Sequence, residues 1–197
     1  MRIFFPLKRD LCRNQALGIG TMNSMTDKSK KRHDSIPTES IPWDSSWPKL
    51  AEEGDHDQVF AYLEKRFGIS TVLFEDFFLF RRKKSWWLLK KTPHIEGASQ
   101  LKVVMTGLRA FQRVGRFLKP TTRFMQIFGY YASREVIHIN EVHLTALKEG
   151  ETLQGDMTLE NGYVILSFQK HILGLGLQVD GRIHSQIPHK DIASLNT

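Results

Sequence analysis

Two short runs of large apolar residues, FFLF at 77–80 and WWLL at 86–89, flank Arg81, Arg82, Lys83, Lys84 and Ser85, and this pattern constrains the fold more than any other stretch of the chain. Four-residue runs of aromatic and aliphatic side chains are too short for a helix and favour strands, and the interval between them is of turn length. A β-hairpin with a strongly basic tip is the expectation. Side chains alternate across a strand, so one of Trp86 and Trp87 faces inward and the other outward. A third run, LKVVMTGL at 101–108, is expected to extend this sheet.

Helical signals surround the hairpin. Val59, Phe60, Leu63 and Phe67 recur at helical spacing, Lys65 and Arg66 fall in the last turn, and Gly68 supplies a stop. Ser70 is a candidate cap for a second short helix over Val72, Leu73 and Phe74. Pro120 and two threonines open a stretch read as a helix to about Ser133. In it Phe124, Ile127, Phe128 and Tyr131 form a core face. Lys119, Arg123, Gln126, Tyr130 and Arg134 line a second, basic stripe at ~100° per residue. Beyond it the chain reads as a strand VIHI at 136–139, a short helix near Val142 to Leu147, and strands YVILSF, ILGLGLQV and RIHSQIP. Gly162, Gly174, Gly176 and Gly181 are placed for the turns and bends of a small barrel.

With 197 residues, 41% of them hydrophobic, the chain can bury a core of one domain or of two small ones. No apolar run approaches the ~18–20 residues that cross a bilayer, and the first dozen residues lack the pattern of a secretory signal, so no membrane association is expected. A lone cysteine, Cys12, forms no internal disulfide and no thiolate zinc site, which points to a reducing compartment and a cytoplasmic address. Residues 1–53 show no sustained periodicity and include the basic run Lys28, Lys30, Lys31 and Arg32, so they are expected to form a disordered basic tail. Met22 and Met25 stand just before that run as alternative starts, and Trp43 and Trp47 are candidates to pin the tail to the body.

Charge is unevenly spread. Residues 54–134 carry a net +9 and residues 135–197 a net −4, within a total of +7. A one-sided positive field favours a polyanionic partner. Arg109, Arg113, Arg116, Lys119, Arg123 and Arg134 occupy 109–134 without a single carboxylate, and such cations repel one another unless an anion arrives. With Tyr130 and the hairpin tip Arg81, Arg82, Lys83 and Lys84, they are the candidate nucleic-acid-binding residues. Cations bind phosphates, while aromatic faces and guanidinium planes stack on unpaired bases.

Catalytic signatures are missing from the sequence: there is no GxSxG elbow, no phosphate-binding GxxxxGK[ST] loop and no HExxH. Gly18 with Gly20, and Gly174 with Gly176, lack the strand–turn–helix setting of a dinucleotide site. His138, Glu141 and His143 lie close in sequence, but a strand-to-helix change between them aims the side chains apart, so no metal and no cofactor are expected.

The order FGI (67–69), GLR (107–109), RVG (113–115), KPT (119–121), FG (128–129), GYV (162–164), LGxG (173–176) and SQIP (185–188) resembles the PUA-like RNA-binding C-terminal region of Nop/Sun-type RNA cytosine-5 methyltransferases. RFGISTVLFEDFFLFRRKKSWWLL resembles the small domain that precedes it there. The resemblance covers roughly 55–190 and implies an RNA-facing pseudo-barrel with ribosomal or transfer RNA as ligand. It does not extend to the methyltransferase domain, so what it implies is an RNA-holding portion standing alone. A separate RNA-modifying enzyme or a ribosomal particle is the partner it implies.

The resulting expectation is an α+β protein: a tail at 1–53, a small α+β unit at 54–108, a PUA-like β pseudo-barrel with peripheral helices at 109–190, and a tail at 191–197. Its expected role is non-catalytic binding of structured RNA. The alternative is a protein-interaction module whose basic helix docks on an acidic partner.

Overall fold

The structure, a computed structural model, describes residues 41–104, 106–155 and 160–194. Cys12, Gly18, Gly20, Met22, Met25, the Lys28 to Arg32 run and residues 195–197 lie outside the described residues.

The class is α+β, built on two five-stranded sheets, one of them curled into a half-barrel. The first helix, α1 (Glu53–Phe67), buries Asp55, Val59, Leu63 and Phe67 along one face. It stops at Gly68, whose φ of 64° is the left-handed conformation that a glycine adopts without steric cost, and whose N–H donates to the Glu64 carbonyl. A single 3-10 turn at Thr71–Phe74 follows.

Strands β2 (Phe77–Arg82) and β3 (Ser85–Lys90) form the basic-tipped hairpin, with Leu79 opposite Leu88 and Phe80 opposite Trp87. Its tip is the pair Lys83 and Lys84, and Lys83 takes a positive φ of 56° to close it. The short strand β1 (Lys49–Leu50) pairs with β2 on the outer edge. Residues 41–53 are therefore part of the folded body, which corrects the tail boundary at 53. Trp43 packs edge-on to Phe78 and Phe80 with centroids 5.7 and 5.1 Å away, and Trp47 donates from Nε1 to the Leu101 carbonyl at 2.8 Å.

The third strand begins later than the sequence suggests. Residues 101–104 and 106–107 lie outside the sheet after the five-residue helix α2 (Ile95–Ser99), and Leu101 and Val104 are 63% and 94% exposed. The sheet resumes with β4 (Leu108–Val114) against β3 and β5 (Phe117–Pro120) against β4. Gly107, at φ 61°, enters β4 where a β-carbon would collide with the Leu88 carbonyl. The order is β1-β2-β3-β4-β5, so the boundary expected at 108/109 falls inside this sheet.

Thr121 caps α3 (Thr122–Phe128) by accepting from the Phe124 N–H. The helix ends five residues short of Ser133: a 3-10 turn spans Gly129–Tyr131, Ala132 is extended, and the N–H groups of Ser133 and Arg134 donate to the Phe67 carbonyl. These two tertiary bonds pull the chain off the helical path.

The second sheet holds β6 (Val136–Ile139), β7 (Leu153–Gln154), β8 (Gly162–Phe168), β9 (His171–Val179) and β10 (Arg182–Ser185), in the order β6-β8-β9-β10-β7. Only the β6–β8 pair is parallel. Helix α4 (Glu141–Lys148) starts at a capping box in which Asn140 and His143 each bond the other's backbone, and α5 (His189–Ala193) buries Ile192. The fold thus reaches past residue 190. One hydrophobic cluster joins Val59, Leu63, Trp86 and Phe111 of the first half to Ile165 and Leu175 of the second sheet, so the two halves share a core.

Candidate nucleic-acid interface

Alternation along β3 decides the fate of its two tryptophans. Trp86 is fully buried, opposite Phe111, whereas Trp87 is half-buried on the other face, opposite Phe80 and Arg109. A bulge between them lets Ala110 and Phe111 both reach the interior.

Beside Trp87 lies a concavity of about 540 Å³ lined by Arg82, Lys83, Lys84, Ser85, Trp87 and Arg109. Its lining holds four cations and no carboxylate. Arg109 donates to the Ser85 hydroxyl at 2.9 Å, which aims the guanidinium along the rim. Arg82, Lys83 and Lys84 are exposed, and their side chains have no hydrogen bond or ion pair among the described residues. An aromatic face ringed by unpaired cations can stack one unpaired base and hold the phosphates on either side of it.

On the opposite face two arginines of the same candidate set are already engaged. Arg81 donates to both carboxylate oxygens of Asp55 at 3.1 Å, and Arg113 donates to the Gln58 side chain at 2.6 Å. Both guanidiniums lie over the Trp86 ring, 5.8 and 5.4 Å from its centroid.

The basic stripe expected along one helix is not formed. Lys119 belongs to β5, donating to Gln186 at 2.7 Å with its ammonium 5.8 Å from the centre of the Tyr163 ring. Arg116 sits at the β4–β5 turn, 5.1 Å from the centre of the Phe117 ring. Only Arg123 and Gln126 are on α3, and Gln126 donates to the Leu173 carbonyl. Tyr130 lies in the 3-10 turn, and Arg134 follows it in irregular chain. Helical spacing holds only over Thr122–Phe128: Lys119 precedes the helix in a strand, and the departure at Gly129 distributes the rest.

Tyr130 and Arg134 instead meet in a second recess, of about 430 Å³, with Gly129, Ser133, Glu135, His138, Ser167, Lys170 and Ile172 among its lining residues. Lys170 and His138 were not assigned to any anion site from sequence. Lys170 lies in the acid-rich third, and only the close β8–β9 turn that carries it brings it here. Glu135 turns to Arg66, whose Nη2 is 3.1 Å from its Oε2, and burial raises its pKa against the pull of that guanidinium. Arg66 also donates to the Tyr163 and Glu160 carbonyls, tying α1 to the second sheet.

His143 is committed to the α4 capping box, and among the described residues no group of three or more His, Cys, Asp or Glu side chains is gathered. No described helix is long and apolar enough to cross a membrane. No protein-family model matches the chain, and no curated protein matches it significantly.

Proposed function

We propose that the protein binds RNA, without catalysis of its own, and that the Trp87 concavity is its principal contact. The observation that carries this reading is the co-location of a half-buried, outward tryptophan with Arg82, Lys83, Lys84 and Arg109 in a hollow whose lining has no carboxylate. Such a surface is costly to leave empty, because like charges converge on it, and it matches a phosphate backbone that offers charge and bases together.

The resemblance to the Nop/Sun-type RNA-binding region makes structured ribosomal or transfer RNA the first ligand class, in RNA modification or ribosome assembly alongside a separate enzyme or ribosomal particle. A cytoplasmic address belongs to the same reading, in keeping with the single cysteine. The unpaired loops of such RNAs fit Trp87 better than duplex does, since a base stacks on a side chain only when splayed out of its pair.

The test is a salt titration of RNA binding. If all four cations meet phosphates, log affinity is expected to fall against log salt with a slope of magnitude about 3. Replacing Arg82, Lys83 and Lys84 with alanine lowers that slope by about 2. A flat response, or a partner captured equally well after nuclease treatment, points instead to docking on an acidic protein.

A further inference from the structure

The recess around Tyr130 has the marks of a site in its own right. The side chains of its two full cations, Arg134 and Lys170, make no ion pair or hydrogen bond among the described residues. The one carboxylate on its lining, Glu135, is taken up by Arg66. The backbone beneath Arg134 is held from several sides: the Ser133 and Arg134 N–H groups bond the Phe67 carbonyl, and the Glu135 carbonyl accepts from the Ile165 N–H. Glu135 itself sits at φ 55°, a left-handed conformation that costs a non-glycine residue energy and persists where surrounding bonds enforce it. That strained residue places Arg134 on one side of the recess and sends its own carboxylate to Arg66. Lys170 also has a positive φ, 68°, but as part of a tight hairpin turn where this is the usual geometry.

The remaining lining completes a small-molecule site. Tyr130 is 78% exposed, so its ring is open to stacking. His138, Ser133 and Ser167 add hydrogen-bonding groups, and Gly129, Val136 and Ile172 supply apolar surface. A volume of about 430 Å³ lies within the ordinary range of ligand pockets. Two cations match the charge of a terminal phosphate, which is close to a dianion at neutral pH, better than the single charge of an internal phosphodiester.

We propose that this recess binds a nucleoside phosphomonoester, with Arg134 and Lys170 on the phosphate and Tyr130 against the base. The group can come from a free mononucleotide or from the phosphorylated end of an RNA chain. The proposal does not depend on the Trp87 concavity.

Two pairs of probes test it on the full chain: adenosine 5′-monophosphate against adenosine by calorimetry, and a 3′-labelled oligoribonucleotide carrying either a 5′-phosphate or a 5′-hydroxyl by fluorescence anisotropy. The phosphorylated member of at least one pair is expected to bind about tenfold or more tighter, the contribution of a single charge-assisted hydrogen bond. Arg134→Ala and Lys170→Ala are each expected to erase that preference while thermal unfolding stays unchanged. Tyr130→Ala is expected to weaken the nucleotide and leave inorganic phosphate unaffected. Preference for the mononucleotide alone identifies a free ligand, and preference for the oligonucleotide alone identifies a chain end. Equal binding of both members of both pairs overturns the proposal, as does a preference that survives Arg134→Ala. If adenosine monophosphate binds here but no RNA binds anywhere, the recess stands and the RNA reading fails.

Discussion

Trp86 and Trp87 are neighbours on one strand, and arginines approach both, yet the two faces of the sheet treat them differently. Around Trp86 each guanidinium has an acceptor on α1: Asp55 for Arg81 and Gln58 for Arg113. The cations there complete a closed, settled layer over a buried ring: Asp55 neutralises Arg81, and the Gln58 amide holds Arg113. Around Trp87 the cations Arg82, Lys83 and Lys84 find no carboxylate, and Arg109 meets only a serine hydroxyl. Counting basic residues along the sequence does not separate these two cases. What separates them is the helix that packs across one face and not the other.

The largest effect that can break this contrast is the loss of the buried ring. Trp86→Ala removes a fully buried side chain from the shared core and is expected to cost about 3–5 kcal/mol, a large share of a domain's stability, read as a strongly lowered melting temperature. Trp87→Ala is expected to leave the melt close to wild type and to weaken single-stranded RNA by about 1–3 kcal/mol, as measured by titration. If the two variants lose stability alike, the outward face is structural and the stacking role falls. A smaller effect sharpens the same contrast. Asp55→Asn breaks the two-pronged contact to Arg81 and is expected to cost about 1 kcal/mol in chemical denaturation, with RNA affinity within twofold of wild type. A marked gain in RNA affinity would show that Arg81, once released, belongs with the open cations.

The division between the tryptophans was legible in the sequence because strand alternation is a local rule, and the basic hairpin tip was legible for the same reason. The sheet beyond it was not. In β4 the bulge puts Ala110 and Phe111 inside in succession, which breaks the period of two that would have marked RAFQRVGRF as a strand. The stripe from Lys119 to Arg134 kept helical spacing on paper, but Gly129 and the bonds from Ser133 and Arg134 to Phe67 end the helix. The partner in those bonds is more than sixty residues away in the chain. Lys170 escaped notice because charge was read by segment, and a turn in an acidic segment can still deliver its one cation to a basic recess. Local periodicity thus placed Trp87 and the basic tip on the outward face, whereas the Tyr130 recess depends on chain reversals that carry no periodic mark.

Arg66 and Glu135 provide the smallest test and approach the contrast from the acid's side. Asp55 serves an arginine that is half exposed, while Glu135 and Arg66 are both largely buried, with side-chain exposures of 15% and 11%. Burial raises the Glu135 pKa above its ordinary 4.5, and the adjacent guanidinium only partly opposes this. A carboxyl whose value is higher folded than unfolded holds its proton more tightly in the folded state. Its contribution therefore favours folding below the unfolded value and is lost as pH rises through the raised one. Stability is expected to decline across a window that opens near 4.5 and closes just above the raised value, and to level off beyond it. Glu135→Gln has no proton to exchange, so chemical denaturation between pH 4 and 7 should show a shallower decline than wild type in that window. Identical pH dependence in the two proteins would mean that Arg66 fully offsets burial, placing this pair with the settled layer around Trp86.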